Sequence, residues 1–126
     1  GGTGDVKHVV LTSIGDDSMD WTFGWQGRAQ FVIAQQRGDD ADRGIEADNQ
    51  ANNNDLLPRS KPTIYNMTLI GDRDTNEGPE STQGMELREG TAGVLRNLVV
   101  MGFKQQAFRV TGTSSAAQPS GCGRRD

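Results

Sequence analysis

Gly38-Asp39-Asp40-Ala41-Asp42-Arg43-Gly44-Ile45-Glu46-Ala47-Asp48-Asn49 joins a glycine turn, a dense set of carboxylates and a short alternating strand. Side chains alternate across a strand, so Ile45 and Ala47 face one way and Glu46 the other. The same pair-with-gap recurs as Met19 and Trp21, Met85 and Leu87, and Phe108 and Val110. The residues between, Asp20, Glu46, Glu86 and Arg109, then form one outward line. Gly15-Asp16-Asp17-Ser18-Met19-Asp20-Trp21 repeats the whole motif. The chain reads as one unit copied about four times.

Each copy begins upstream with a second pattern. Its apolar residues are Val6, Val9, Leu11; Ala29, Val32, Ala34; Ile64, Met67, Leu69; and Leu95, Leu98, Val100. A step of three followed by a step of two suits a bend entering a strand, not a helix. A glycine follows each time: Gly15, Gly38, Gly71 and Gly102. Val9 to Val32 and Met85 to Phe108 are both 23 residues apart. Repeats of roughly 20–50 residues signal stacked solenoids, with longer insertions looping out. Residues 48–62 and 72–83 are such polar insertions. Just before the second apolar position stand His8, Phe31, Asn66 and Asn97. Asparagine tolerates turn conformations and its amide can bond to the next rung, so Asn66 and Asn97 should stack at the bend. The expected inward set is Val6, Val9, Leu11, Met19, Trp21, Val32, Ile45, Met67, Leu69, Met85, Leu87, Leu98, Val100, Phe108 and Val110.

Composition agrees. A chain of 126 residues fits one domain. Only 33% is hydrophobic and 17 residues are glycine. A solenoid fits this better than a compact domain, because each turn of chain buries only a thin strip. The net charge of −4 speaks against nucleic acid as a partner. Cys122 stands alone, so no disulfide forms within the chain. No apolar run reaches membrane-spanning length. Gly1-Gly2-Thr3-Gly4 looks like a truncation point or a mature start.

The motifs GDDSMDW (15–21), DRGIEADN (42–49), PTIYNMTLIGD (62–72) and GMELREGTAGVLRNLVVMGF (84–103) resemble a group of bacterial surface and secreted proteins. These are right-handed parallel β-helices of the pectate-lyase-like superfamily. The resemblance covers roughly residues 5–112. It implies an all-β, right-handed parallel β-helix of about four rungs over residues 1–112, and an extracytoplasmic location. Members of the group are usually much longer, so the chain looks like a segment. Residues 113–126 break the pattern and are expected to be a polar, poorly packed linker or tail. Open first and last rungs lead to a further expectation, end-to-end association with a second copy or with the rest of a longer parent.

Three chemistries compete for the polar residues. If the preceding glycines align the copies, Asp16 and Asp17 lie above Asp39 and Asp40. Strands about 4.8 Å apart would then stack carboxylates that repel, which invites a divalent cation. Oxygen-only donors without a nearby His or Cys favour calcium, with Asp16, Asp17, Asp39, Asp40 and Asp42 as its ligands. The alternative is a solvated turn whose aspartates bond to nearby backbone amides. The Gly-Asp-Asp tripeptide also resembles a polygalacturonase motif whose aspartates act as acid and base, implying Asp16, Asp17, Asp39 and Asp40 as catalytic candidates. That family's Gly-His-Gly and Arg-x-Lys motifs are missing here. A polysaccharide lyase of the superfamily would need a basic residue, and Arg109 beside Glu86 is the candidate. Trp21, Phe23 and Trp25 alternate, and an exposed Trp25 could stack on a sugar ring, whereas an inward one would pack in the core. The leading expectation is a structural or carbohydrate-binding module stabilised by calcium. The alternative is a polysaccharide hydrolase or lyase.

Overall fold

The computed structural model describes residues 1–38, 40–73, 81–112 and 114–119, with backbone alone for Ala116–Pro119. Nine strands are present among these residues, and no helix. No helix is therefore long and apolar enough to cross a membrane. In chain order the strands are β1 (Val6–Thr12), β2 (Met19–Trp21), β3 (Arg28–Gln35), β4 (Ile45–Ala47), β5 (Thr63–Ile70), β6 (Gln83–Leu87), β7 (Ala92–Met101), β8 (Gln106–Val110) and β9 (Ala116–Pro119). Odd strands build one sheet, in the order β1-β3-β5-β7-β9. Even strands build another, β2-β4-β6-β8. Every pairing is parallel. The chain thus climbs one rung for each visit to the two sheets, which is a parallel β-helix of four rungs with a fifth begun by β9.

The step of three then two has a local cause. His8, Phe31, Asn66 and Asn97 all have φ between 51° and 56°. A left-handed residue interrupts the alternation, so the next inward side chain comes three positions on, and alternation then resumes. Outside glycine this conformation costs roughly 1–2 kcal/mol per residue. Contacts along the column offset that cost. The His8 and Phe31 rings stack at 5.0 Å with 11° between their planes. The Asn97 amide donates to Asn66 Oδ1 at 2.5 Å.

Register places the apolar residues in columns. Val9, Val32, Met67 and Leu98 are successive partners, as are Leu11, Ala34, Leu69 and Val100. On the second sheet Met19, Ile45, Met85 and Phe108 align, beside Trp21, Ala47, Leu87 and Val110. Ile45, Ile64, Met67, Leu69, Met85 and Leu87 are wholly buried in the middle rungs. The second rung sets small residues, Ala29, Ala34 and Ala47, beside the larger Val32 and Ile45. Ala47 leaves room for the Trp21 indole above it, whose N–H donates to the buried Thr91 hydroxyl at 3.0 Å. Of the expected inward set, Val6, Phe108 and Val110 stay substantially exposed. They belong to the first rung and to β8, the outermost described strand of the second sheet, where no neighbour among the described residues covers them.

The polar segments carry structure of their own. The insertion at 48–62 is structured: buried Asn49 donates to the Asn54 and Leu56 carbonyls and accepts from the Ser60 amide. The tail expected over 113–126 contributes β9, paired with β7 from Ala92↔Ala116 to Leu95↔Pro119. Parallel pairing needs only main-chain groups, so a polar, apolar-poor segment can still extend the sheet. Cys122 lies outside the described residues.

Candidate functional site

The acidic turns occupy the corner between the sheets. Asp16 pairs with Ala41, with its amide donating to the Asp40 carbonyl at 2.9 Å. The Asp42 amide returns a bond to the Asp16 carbonyl, also at 2.9 Å. The Arg43 amide donates to Asp17 Oδ1 at 2.9 Å. A buried polar column supports this corner. Gln36 donates to the Arg43 carbonyl at 2.5 Å and accepts from the Ser81 hydroxyl at 2.8 Å.

The glycine-based alignment of the two turns is corrected by this register. Strand β2 pairs Met19 with Ile45, 26 residues on, whereas β1 pairs Val9 with Val32, 23 residues on. The second rung therefore carries three more residues in its turn. Asp16 meets Ala41 in place of Asp39 or Asp40, and Asp42 is the acid brought beside Asp17. Carboxylate oxygens of Asp16, Asp17 and Asp42 lie within 4.8 Å of one another. Asp40 is exposed and lies against Gly15, where an added Cβ would meet its Oδ2 at 2.7 Å. Asp39 lies outside the described residues.

Half-burial raises the Asp17 carboxyl to about 7, with help from the charges of Glu46, Asp16 and Asp42 and against the bond from Arg43. Three carboxylate oxygens this close can all reach one calcium ion at roughly 2.4 Å, so the donor set fits that ion. Backbone carbonyls and water would have to complete its shell.

The outward line is also present: Asp20, Glu46, Glu86 and Arg109 are register partners across the second sheet. Two further arginines straddle it. Arg43 bonds Glu86 at 2.5 Å and Glu46 at 2.9 Å and pairs with Asp42. Arg88 bonds Asp48 at 2.7 Å and pairs with Glu46. Arg109 stands 3.5 Å from Glu86, whose side chain is only 5% exposed. Burial pushes the Asp20 and Glu46 carboxyls up, while the bond to Asp48 raises Arg88 further. Glu46, Asp48 and Glu86 are held in a network that ties rung to rung, and Arg109 faces a carboxylate already bonded to Arg43.

Trp25 packs partly buried against Trp21, with ring centroids 5.6 Å apart, and its N–H donates to the Gly4 carbonyl at 3.1 Å. With Met19, Asp20, Trp21 and Thr22 it lines a recess of about 480 Å³ at the first rung. Phe23, by contrast, is 59% exposed.

A second recess, of about 340 Å³, lies on the outer face of the first sheet and is lined by Asp5, Val6, Lys7, Arg28, Gln30 and Tyr65. Asp5 accepts from the Arg28 guanidinium at 2.6 and 3.0 Å, and that bond holds its carboxyl below the usual range. Lys7 sits 5.7 Å from the Phe31 ring centroid, and Arg96 sits 5.8 Å from that of Tyr65. Sequence reasoning followed the inward positions and the bends and so passed over this column. Its signal was available: Lys7, Gln30, Tyr65 and Arg96 each follow the first apolar residue of a copy.

Strands stacked this way define a parallel β-helix protein. The chain belongs to the pectate-lyase like beta helix domain family, whose model matches residues 1–122. Comparison with curated proteins and with solved structures finds no match.

Proposed function

We propose that this β-helix is a non-enzymatic, extracytoplasmic module that binds polysaccharide on the outer face of its first sheet. The observation that carries this is the recess in which Tyr65 stands beside Gln30, Lys7 and Arg28. An aromatic face flanked by amide and cationic donors suits a sugar ring and its hydroxyls. The rigid stack of strands holds these groups in fixed register. The alternative, a hydrolase or lyase, draws its support from the raised carboxyl of Asp17. Against it, Asp17 accepts from a main-chain amide, and Asp42, Glu46 and Glu86 are tied to Arg43.

Binding to a panel of neutral and acidic polysaccharides, with reducing-end and unsaturated-product assays alongside, tests the role. Retention of at least one polymer without product formation is expected. Release of new chain ends, abolished by Asp17→Asn, would replace the module with the enzyme.

Calcium is proposed as a stabilising ion at Asp16, Asp17 and Asp42. Its binding should raise the melting temperature by the linkage relation. Equal melting temperatures in excess calcium and in chelator would dismiss it.

A further inference from the structure

We propose that the recess at the first rung binds an organic ammonium ion, either a free alkylammonium compound or the ammonium group of a lysine side chain. The site is independent of the polysaccharide role above, since neither Tyr65, Gln30, Lys7 nor Arg28 lines it. Its volume, about 480 Å³, falls within the roughly 300–1,000 Å³ of small-molecule sites. Asp5, Met19, Asp20, Trp21, Thr22 and Trp25 line it, and no cationic side chain does.

Charge at the recess comes down to Asp20. Asp5 is already paired with Arg28. Arg88, the cation nearest to Asp20 in effect, is bonded to Asp48 and Glu46. Asp20 is exposed and forms no ion pair among the described residues. Burial, and then the charge of Asp48, push its carboxyl up against the pull of Arg88, so a cation arriving here would relieve an unbalanced charge. Asp20 also offers main-chain groups. The Met19 amide donates to the Gly44 carbonyl and the Trp21 carbonyl accepts from the Asp48 amide, so both residues turn their main chain to the next rung. These groups alternate sides along a parallel strand, so the amide and carbonyl of Asp20 face the free edge of β2.

The aromatic pair supplies the second half of the chemistry. The Trp21 and Trp25 rings lie 5.6 Å apart at 51°, which makes a corner of two faces. Both N–H groups are engaged, that of Trp21 by the Thr91 hydroxyl and that of Trp25 by the Gly4 carbonyl. The rings are thus held by their edges, which leaves their faces to a ligand. An indole face attracts a cation more strongly than any other side-chain ring. An anion would be repelled by Asp20. A metal ion would need more oxygen donors and gain nothing from the indoles. An ammonium ion with methyl or methylene groups uses the carboxylate and the rings together.

Trp21 and Trp25 are the two tryptophans of the chain, so intrinsic fluorescence reports on this recess alone. Titration at constant ionic strength with choline, with Nα-acetyl-lysine amide and with 3,3-dimethylbutanol, the uncharged isostere of choline, tests the proposal. At least one ammonium compound should give a saturable change, roughly tenfold or more tighter than the isostere, from the ion pair and the cation–π contact together. Tighter choline marks a methylated ammonium as the ligand, and tighter lysine amide marks the side chain of a peptide. Asp20→Asn should weaken the ammonium by roughly fivefold, the upper end for a partly exposed ion pair, and leave the isostere unchanged. Asp20→Glu should restore most of the affinity. Circular dichroism checks that both variants are folded. Equal affinity for the isostere and the ammonium compounds overturns the proposal. So does an unchanged affinity in folded Asp20→Asn, or the absence of a saturable change with either ammonium.

Discussion

Replacing Asp17 by Asn isolates the electrostatic cost of the acidic corner. Asn keeps an oxygen for the Arg43 amide, which Asp17 Oδ1 accepts at 2.9 Å, and removes only the charge. Burial, then the charges of Glu46, Asp16 and Asp42, raise the Asp17 carboxyl from 3.8 to about 7. A raised carboxyl means that the native state holds a proton the unfolded chain has already lost. Stability therefore falls as pH rises from about 4 to about 7, and levels off above that. A shift of about three units corresponds to about 4 kcal/mol at roughly 1.4 kcal/mol per unit. Asp17 is only half-buried, and solvent screening reduces this to about 2 kcal/mol. Asp17→Asn should therefore be about 2 kcal/mol more stable than the native chain at pH 7.5 and equal to it near pH 4. The corresponding rise in melting temperature is about 5–10 °C. Urea unfolding in chelator between pH 4 and 7.5, followed by tryptophan fluorescence, measures both proteins. Asp20 and Glu46 are also raised by burial and remain in the variant, so its own curve keeps some slope. Parallel curves for the two proteins across this range would refute the reasoning.

Thr91→Val removes the acceptor of the buried Trp21 N–H and should cost about 1–3 kcal/mol by urea unfolding, with an unchanged cost ruling out that bond as an anchor. Gly90 has φ of 82°, and a Cβ there would lie 1.8 Å from the Asn54 carbonyl oxygen. Gly90→Ala should destabilise by more than about 1 kcal/mol and raise hydrogen exchange within 48–62, whereas exchange confined to β7 would contradict the contact. Exposed Phe108 and Val110 at one end and Val6 at the other should drive concentration-dependent association by stacking of rungs. Phe108→Lys should suppress it, and a native chain that sediments as a monomer at high concentration counts against it.

The inward columns, the four bends and the two kinds of strand were all legible in the residues, because each is a local property. Alternation follows from the pleat, and the step of three at His8, Phe31, Asn66 and Asn97 follows from one left-handed residue in each copy. Even the cations of the first sheet, Lys7, Arg28 and Arg96, and the acids of the second, Asp20, Glu46 and Glu86, could be counted from the residues. What tertiary structure decided was register at the corner. Three extra residues in the second turn move Asp42 beside Asp17 and leave Asp40 against Gly15. No local pattern specifies this, because turn length shifts alignment without changing composition, and the strands set the count. The same holds for Trp21 reaching Thr91, 70 positions away. Ala47, the register partner of Trp21 in the rung between, is a small buried residue. The pairing of β9 likewise depends on the free edge of β7, which a polar segment can satisfy with its main chain alone.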